Sequence, residues 1–381
     1  MDRILFSDII KSITIYLSEY DKLLFLSSSK YLHGIKNMIT WDTPIGIHLA
    51  PIVTYSNKFS KIKIDCSLKK LKKLVQQLAQ RGKTIDTYFA FATEIIITTR
   101  ISDELAKLLV PSSIIHCRIR DTNIDISLSH TNISHVYLEF KYICQKVKPL
   151  KLCKKLSVTH LFIGNKFCYD YNEKMIIPKN ITHIYVGRNN DELDLVLHDS
   201  LMHLELESYD VYVSNSNFIP ISLTNLLFDD DSKIYIDKIY PVVTHLRISY
   251  YQANNFLVDL KCFPNLLNLI IGSDNLYDSH ISCNMPSLTS SVTYLKFGTR
   301  CNFPITDLFH SNLVHIIFGH MFNQDISGCI TVSCKYLEFG LRFEKYISID
   351  ILKRVLQIKI DSRYPYIDSL KQEFRGELII K

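Results

Sequence analysis

Val158-Thr159-His160-Leu161-Phe162-Ile163-Gly164 is the stretch on which the fold turns, because it returns almost unchanged as Ile181-Thr182-His183-Ile184-Tyr185-Val186-Gly187. Further copies are Val243-Thr244-His245-Leu246-Arg247-Ile248, Val292-Thr293-Tyr294-Leu295-Lys296-Phe297-Gly298, Leu313-Val314-His315-Ile316-Ile317-Phe318-Gly319 and Cys334-Lys335-Tyr336-Leu337-Glu338-Phe339-Gly340. With the histidine as phase marker, the series runs His116, His135, His160, His183, His203, Asn225, His245, Asn268, Tyr294, His315, Tyr336 and Gln357. The intervals are 19 to 26 residues. Histidine is 14 of 381 residues yet takes seven of these twelve places, so chance recurrence is a poor explanation. Weaker copies at Glu94 and Glu377 extend the series to fourteen rungs.

Around each marker the apolar residues alternate, as with Leu161 and Ile163 against His160 and Phe162. Period two marks a short, half-buried strand. Prolines 111, 178, 220, 241 and 264 stand four or five residues ahead of a marker, where a residue without an N–H suits the turn into the strand. A chain of hairpins would carry Asn-Gly or Asp-Gly turns, and neither dipeptide occurs. One strand per unit of about 22 residues predicts a leucine-rich-repeat-like solenoid over residues 93–381. Its single parallel sheet would return through coil or short helices, giving a mainly β fold. The marker column faces outward, and so does the column two residues later.

That second column contains Arg118, Tyr137, Phe162, Tyr185, Glu205, Leu227, Arg247, Ile270, Lys296, Ile317, Glu338 and Lys359. Half of it is aromatic or aliphatic on a face that solvent should reach. Aromatic residues and Arg concentrate at binding hot spots, so Tyr137, Phe162, Tyr185 and Arg247 are the candidate substrate-face residues. The plain alternative is that a neighbouring loop covers them. The histidine column invites a metal reading, but no Cys or carboxylate completes a ligand set at the same phase, and the repeat explains its recurrence. No metal and no cofactor is expected. Lys141, Lys146, Lys148, Lys151, Lys154 and Lys155 fall in one of the two longest units, read as a solvated rim loop able to meet an acidic partner.

Composition narrows the function class. The net charge of +6 is spread over the whole chain, so a nucleic acid is not the expected partner. Ten cysteines show no two-residue pairing of the zinc or redox kind, and reduced thiols in the cytoplasm are expected. No membrane segment is read in the chain. Gly-rich phosphate loops, Gly-x-Ser-x-Gly and His-Glu-x-x-His are all missing, so the chain reads as a binding protein and not an enzyme.

The units resemble FNIP repeats, a leucine-rich-repeat-like family abundant in social amoebae and in giant viruses of amoebae. The resemblance is carried by Phe322-Asn323-Gln324 after a rung, Ile177-Pro178 and Ile219-Pro220 before one, and the Val-Thr-His-Leu and Phe-Gly elements. The Thr-His pair is lost at 202, 224 and 267.

Residues 1–45 follow a different period, with Leu5, Ile9, Ile10, Ile13 and Leu17 at helical spacing and Asp8 in the first turn. Together with Tyr16-Leu17, Asp21, Leu26 and Ser29-Lys30 they resemble an F-box, with Phe6 standing where that family has proline. The resemblance implies docking on the Skp-type adaptor of a cullin ubiquitin ligase through Leu5, Phe6, Ile9, Ile10, Ile13 and Leu17, while the repeats hold a protein substrate. The residue-level alternative is a helical cap over the first rung. Residues 46–92 form the linker and a helical amino-terminal cap. Leu68, Leu71, Leu74, Val75 and Leu78 make one stripe there, the neighbouring lysines stay in water, and Gly82 closes the helix.

Overall fold

The computed structural model describes residues 44–47, 60–64, 67–82, 84–90, 92–98, 105, 108–120, 132–139, 157–164, 175–187, 195–207, 219–228, 236, 238–249, 258–272, 288–305 and 312–381. The F-box-like residues from Leu5 to Leu17 and the lysine-rich loop from Lys141 to Lys155 lie outside the described residues. The chain divides into two compact units, Met1–Asp170 and Tyr171–Lys381.

The first unit carries β1 (Ile45–Gly46), β2 (Lys61–Ile64), β3 (Glu94–Ile97), β4 (His116–Arg120), β5 (His135–Glu139) and β6 (His160–Ile163). They pair in chain order and all in parallel. Helix α1 (Leu68–Gln80) and the single turn α2 (Ile85–Tyr88) lie between β2 and β3. In α1, Leu71, Leu74 and Leu78 are buried while Lys69, Lys70, Lys72 and Lys73 are exposed, the division a surface helix needs. Gly82 ends it at φ 59°, a left-handed conformation that glycine adopts without a side-chain clash. This helix, expected as a cap, sits on the return path between two paired strands, and the sheet already includes β1 and β2 ahead of residue 93.

The second unit carries a ten-stranded parallel sheet. Its strands are β8 (His183–Val186), β10 (His203–Leu206), β11 (Asn225–Phe228), β12 (His245–Ile248) and β13 (Asn268–Ile271). They are followed by β14 (Tyr294–Phe297), β15 (His315–Ile317), β16 (Tyr336–Glu338), β17 (Gln357–Ile360) and β18 (Glu377–Ile380). Two short strands, β7 (Met175–Ile176) and β9 (Leu195–Val196), pair in parallel on the return paths, and Ile236 bridges Val258 in the same manner. The other described returns are turns and short helices, including α3 (Ile349–Leu352) and α4 (Ile367–Glu373).

From β3 onward the long-strand pairings align one marker with the next: His116 with His135 and His135 with His160 in the first unit, and His183 with His203 and onward to Glu377 in the second. Three inward columns follow from this register. The residues two before the marker (Ile133, Val158, Leu201, Val292), one after (Val136, Leu161, Leu204, Leu295) and three after (Leu138, Ile163, Leu206, Phe297) are all buried. Most of the residues between them are half-exposed. Cys117 occupies an inward place, and burial pushes its thiol up to about 12. Prolines 111, 178 and 220 sit in the turns that lead into their strands, each carbonyl accepting from the N–H three residues later. Cys117 and Cys334 are buried free thiols.

Candidate functional site

The outward face of the sheet is where the recurring side chains meet solvent. The Thr-His pair has a mechanical reason. The hydroxyls of Ser134, Thr159, Thr182 and Thr244 each share a hydrogen bond with Nδ1 of the following histidine, at 2.8 to 2.9 Å. That bond fixes the ring plane, and the register sets like rings above like. His135 and His160 stack at 4.2 Å between centroids, and His116 and His135 lie 4.5 Å apart. In the second unit His183 and His203 stack at 5.6 Å. Where asparagine replaces histidine it donates to its neighbour: Asn225 Nδ2 to His203 Nδ1 and Asn268 Nδ2 to His245 Nε2. Burial holds the His183 imidazole below its ordinary value, with the charge of His203 acting in the same direction. Among the described residues no group of three or more His, Cys, Asp or Glu is arranged to hold a metal ion.

One column further along β4 to β6 lies the most developed cluster of the first unit. The Arg118 guanidinium lies 4.3 Å above the Tyr137 ring, and Tyr137 stacks on Phe162 at 4.3 Å with planes 9° apart. Arg118 also bonds Glu94 on one neighbouring strand and Glu139 on the other, and Arg120 Nε reaches Glu139 at 2.7 Å. Burial pushes the Glu139 carboxyl up, but the hydrogen bonds from Arg120 and Arg118 outweigh it and hold it below the usual carboxylate range. His116 and His135 flank the stack at 6.0 and 6.4 Å from Tyr137 and Phe162. The result is five half-exposed rings on three strands, with Lys61, Arg118 and Arg120 set against Glu94 and Glu139. Such a surface offers area and shape with little net charge.

Of the expected substrate-face residues, Tyr137 and Phe162 are therefore brought together. Tyr185 and Arg247 belong to the second unit, where they stand three rungs apart in one column. The Tyr185 hydroxyl donates to Glu207 at 2.6 Å, and Arg247 reaches across the Leu227 rung to Glu205 at 3.2 Å. The Glu205 carboxyl is held below its usual range, first by its hydrogen bond with His203 and then by the charge of Arg247. Sequence reasoning missed the ion network that runs through Lys61, Glu94, Arg118, Glu139 and Arg120. Its signal was opposite charge on neighbouring strands, Arg120 and Glu139 at one phase and Glu94 two places from the phase of Arg118, which becomes visible once strands are aligned by marker.

No family model and no curated protein matches the chain. Among solved structures, the crystal structure of CroV588, described as a novel circular LRR protein, is similar over 81% of this chain and 50% of that one. The identity is 19% and the TM-score 0.41, and this chain spans about half the length of that protein. No helix among the described residues is long and apolar enough to cross a membrane.

Proposed function

We propose that this chain is a protein-binding repeat scaffold that performs no chemistry itself and grips its target on the outward sheet face. The observation that carries the reading is the Arg118–Tyr137–Phe162 stack, a preordered aromatic surface on a half-exposed face where a purely structural sheet has no need of one. A photo-crosslinking residue at position 162, compared with one at Lys72 on α1, tests it. Adducts from position 162 alone, lost when Arg118 and Tyr137 are both changed to Ala, support the reading. Equal labelling from both positions overturns it.

At a finer level we read the chain as a substrate receptor of a cullin-type (SCF) ubiquitin ligase in the cytoplasm. An F-box-like segment would dock the Skp-type adaptor through Leu5, Phe6, Ile9, Ile10, Ile13 and Leu17, and residues 93–381 would hold a protein substrate. The support is the sequence resemblance of residues 5–30. Co-purification with the adaptor, abolished by deleting residues 1–45, is the expected result. No adaptor, or adaptor retained after the deletion, sinks the ligase reading and leaves a stand-alone interaction scaffold with a helical cap.

A further inference from the structure

Phe343 and Tyr364 are buried and stacked at 5.9 Å between centroids, one on the return path after β16 and the other on that after β17. The Tyr364 hydroxyl donates to the Lys345 carbonyl at 2.8 Å, so the two coils are tied together at that point. Next to Lys345 stands Tyr346, and two residues beyond Tyr364 stands Tyr366, both of them exposed. Their rings meet edge to face at 5.6 Å with planes 84° apart. Tyr366 meets the buried Tyr364 in a similar way at 5.7 Å, so the exposed pair is anchored from within. Two rings at a right angle make a corner, and each presents an electron-rich face to it.

A carboxylate stands at its rim. The Tyr346 hydroxyl donates to Glu373 Oε2 at 3.3 Å. Glu373 is the last residue of α4, at the end of the helix where backbone carbonyls gather negative charge. Among the described residues no cation pairs with it: Lys371 bonds Asp368 at 3.5 Å, Arg363 bonds Asp361 at 2.8 Å, and neither Lys345 nor Arg375 makes an ion pair. The first unit holds the same set of groups in filled form. There the Arg118 guanidinium lies 4.3 Å above the Tyr137 ring and bonds the Glu94 and Glu139 carboxylates. The Tyr346 corner has the rings and the acid without the cation.

We propose that this corner binds an arginine side chain from a partner protein, its guanidinium flat on a tyrosine face and its N–H groups directed to Glu373. Arginine suits the place better than lysine. A planar guanidinium lies on a ring and still has donors left for a carboxylate, whereas an ammonium is a compact, strongly hydrated charge. A free amino acid or other small cation suits it less than a side chain, because an open corner of two rings and one acid offers nothing to the rest of such a molecule. The corner lies on the return paths of the second unit, so the proposal stands or falls separately from the Tyr137 and Phe162 surface.

The test is a saturation-transfer NMR titration of the full chain with acetyl-Gly-Arg-Gly-amide and its citrulline counterpart, which keeps the shape of the side chain and lacks its charge. The arginine peptide should bind about fivefold more tightly than the citrulline one, and added salt should weaken it. Tyr366→Leu, which keeps apolar bulk and removes the ring face, and Glu373→Gln should each weaken the arginine peptide about fivefold. Circular dichroism checks that each variant is folded, and either one suffices if the other is not. Affinity unchanged in a folded variant overturns the proposal, as does equal binding of the citrulline peptide. Equal binding of the lysine peptide, or tighter binding of free arginine or tetramethylammonium, would assign the corner to cations of another kind and equally overturn it.

Discussion

Two sets of stacked rings show how one geometry serves opposite ends. In the first unit Tyr137 and Phe162 lie at 4.3 Å on the outward face, half-exposed. In the second, Phe297, Phe318 and Phe339 stack at 6.0 and 5.2 Å on the inward face, almost wholly buried. Beneath them Phe322 and Phe343 add a second buried file. Parallel strands in register bring like positions together whichever way the side chain points, so stacking is a consequence of the repeat in both places. What differs is the water removed. The inner files stabilise the coil, and the outer pair leaves its edges available to a partner.

The comparison predicts unequal costs. Phe339→Ala opens a cavity in a filled core and should lower unfolding free energy by about 3 to 5 kcal/mol in urea titration. Phe162→Ala, on the outward face, should cost under about 1 kcal/mol. Equal losses would break the distinction between the two stacks. A smaller effect is expected at the close approach of coils. Gly340→Ala puts a methyl group 2.3 Å from the His320 Cα and should cost about 1 to 3 kcal/mol, whereas Gly82→Ala strains only an exposed left-handed turn and should cost about 1.

The smallest effect concerns pH and the first unit alone. The Glu139 carboxyl lies below its ordinary value of 4.5 in the folded chain, so its ion network stabilises the fold above about pH 4.5 and loses that contribution as pH falls through the depressed value. With the partners about a third exposed, the amount is about 0.5 kcal/mol. Acid titration of Glu139→Gln beside the parent should show the parent's advantage fading below pH 4.5. An advantage that grows toward acid would mean the carboxyl is not held ionised by Arg118 and Arg120.

The strands were legible because the marker carries its own phase. β4, β5, β6, β8 and each long strand after them begin at the residue that the His series names, and Glu94 and Glu377 open β3 and β18 as the weaker copies suggest. β1 and β2 were not legible. Lys61-Ile62-Lys63-Ile64 alternates correctly but has no marker, and the strong helical stripe that follows it drew the reading toward a cap. The aromatic part of the candidate site could be read from column positions, since Tyr137 and Phe162 share a phase. The ion pair between Lys381 and Glu338 could not. It has Lys381 reaching back across two strands, a contact between residues 43 apart that no local pattern announces.

One property of the in-register pairing bears on how such a chain changes over generations. His315 and Tyr336 occupy equivalent places on adjacent strands. Excising residues 315–335 would join Val314 directly to Tyr336, and the N–H groups of both His315 and Tyr336 are already presented to the preceding coil in the same way. Every remaining strand would meet a neighbour of the same phase. Recombination between repeats in the gene can thus lengthen or shorten the protein by one whole coil, and the number of coils becomes a heritable variable that selection can tune without redesigning any contact.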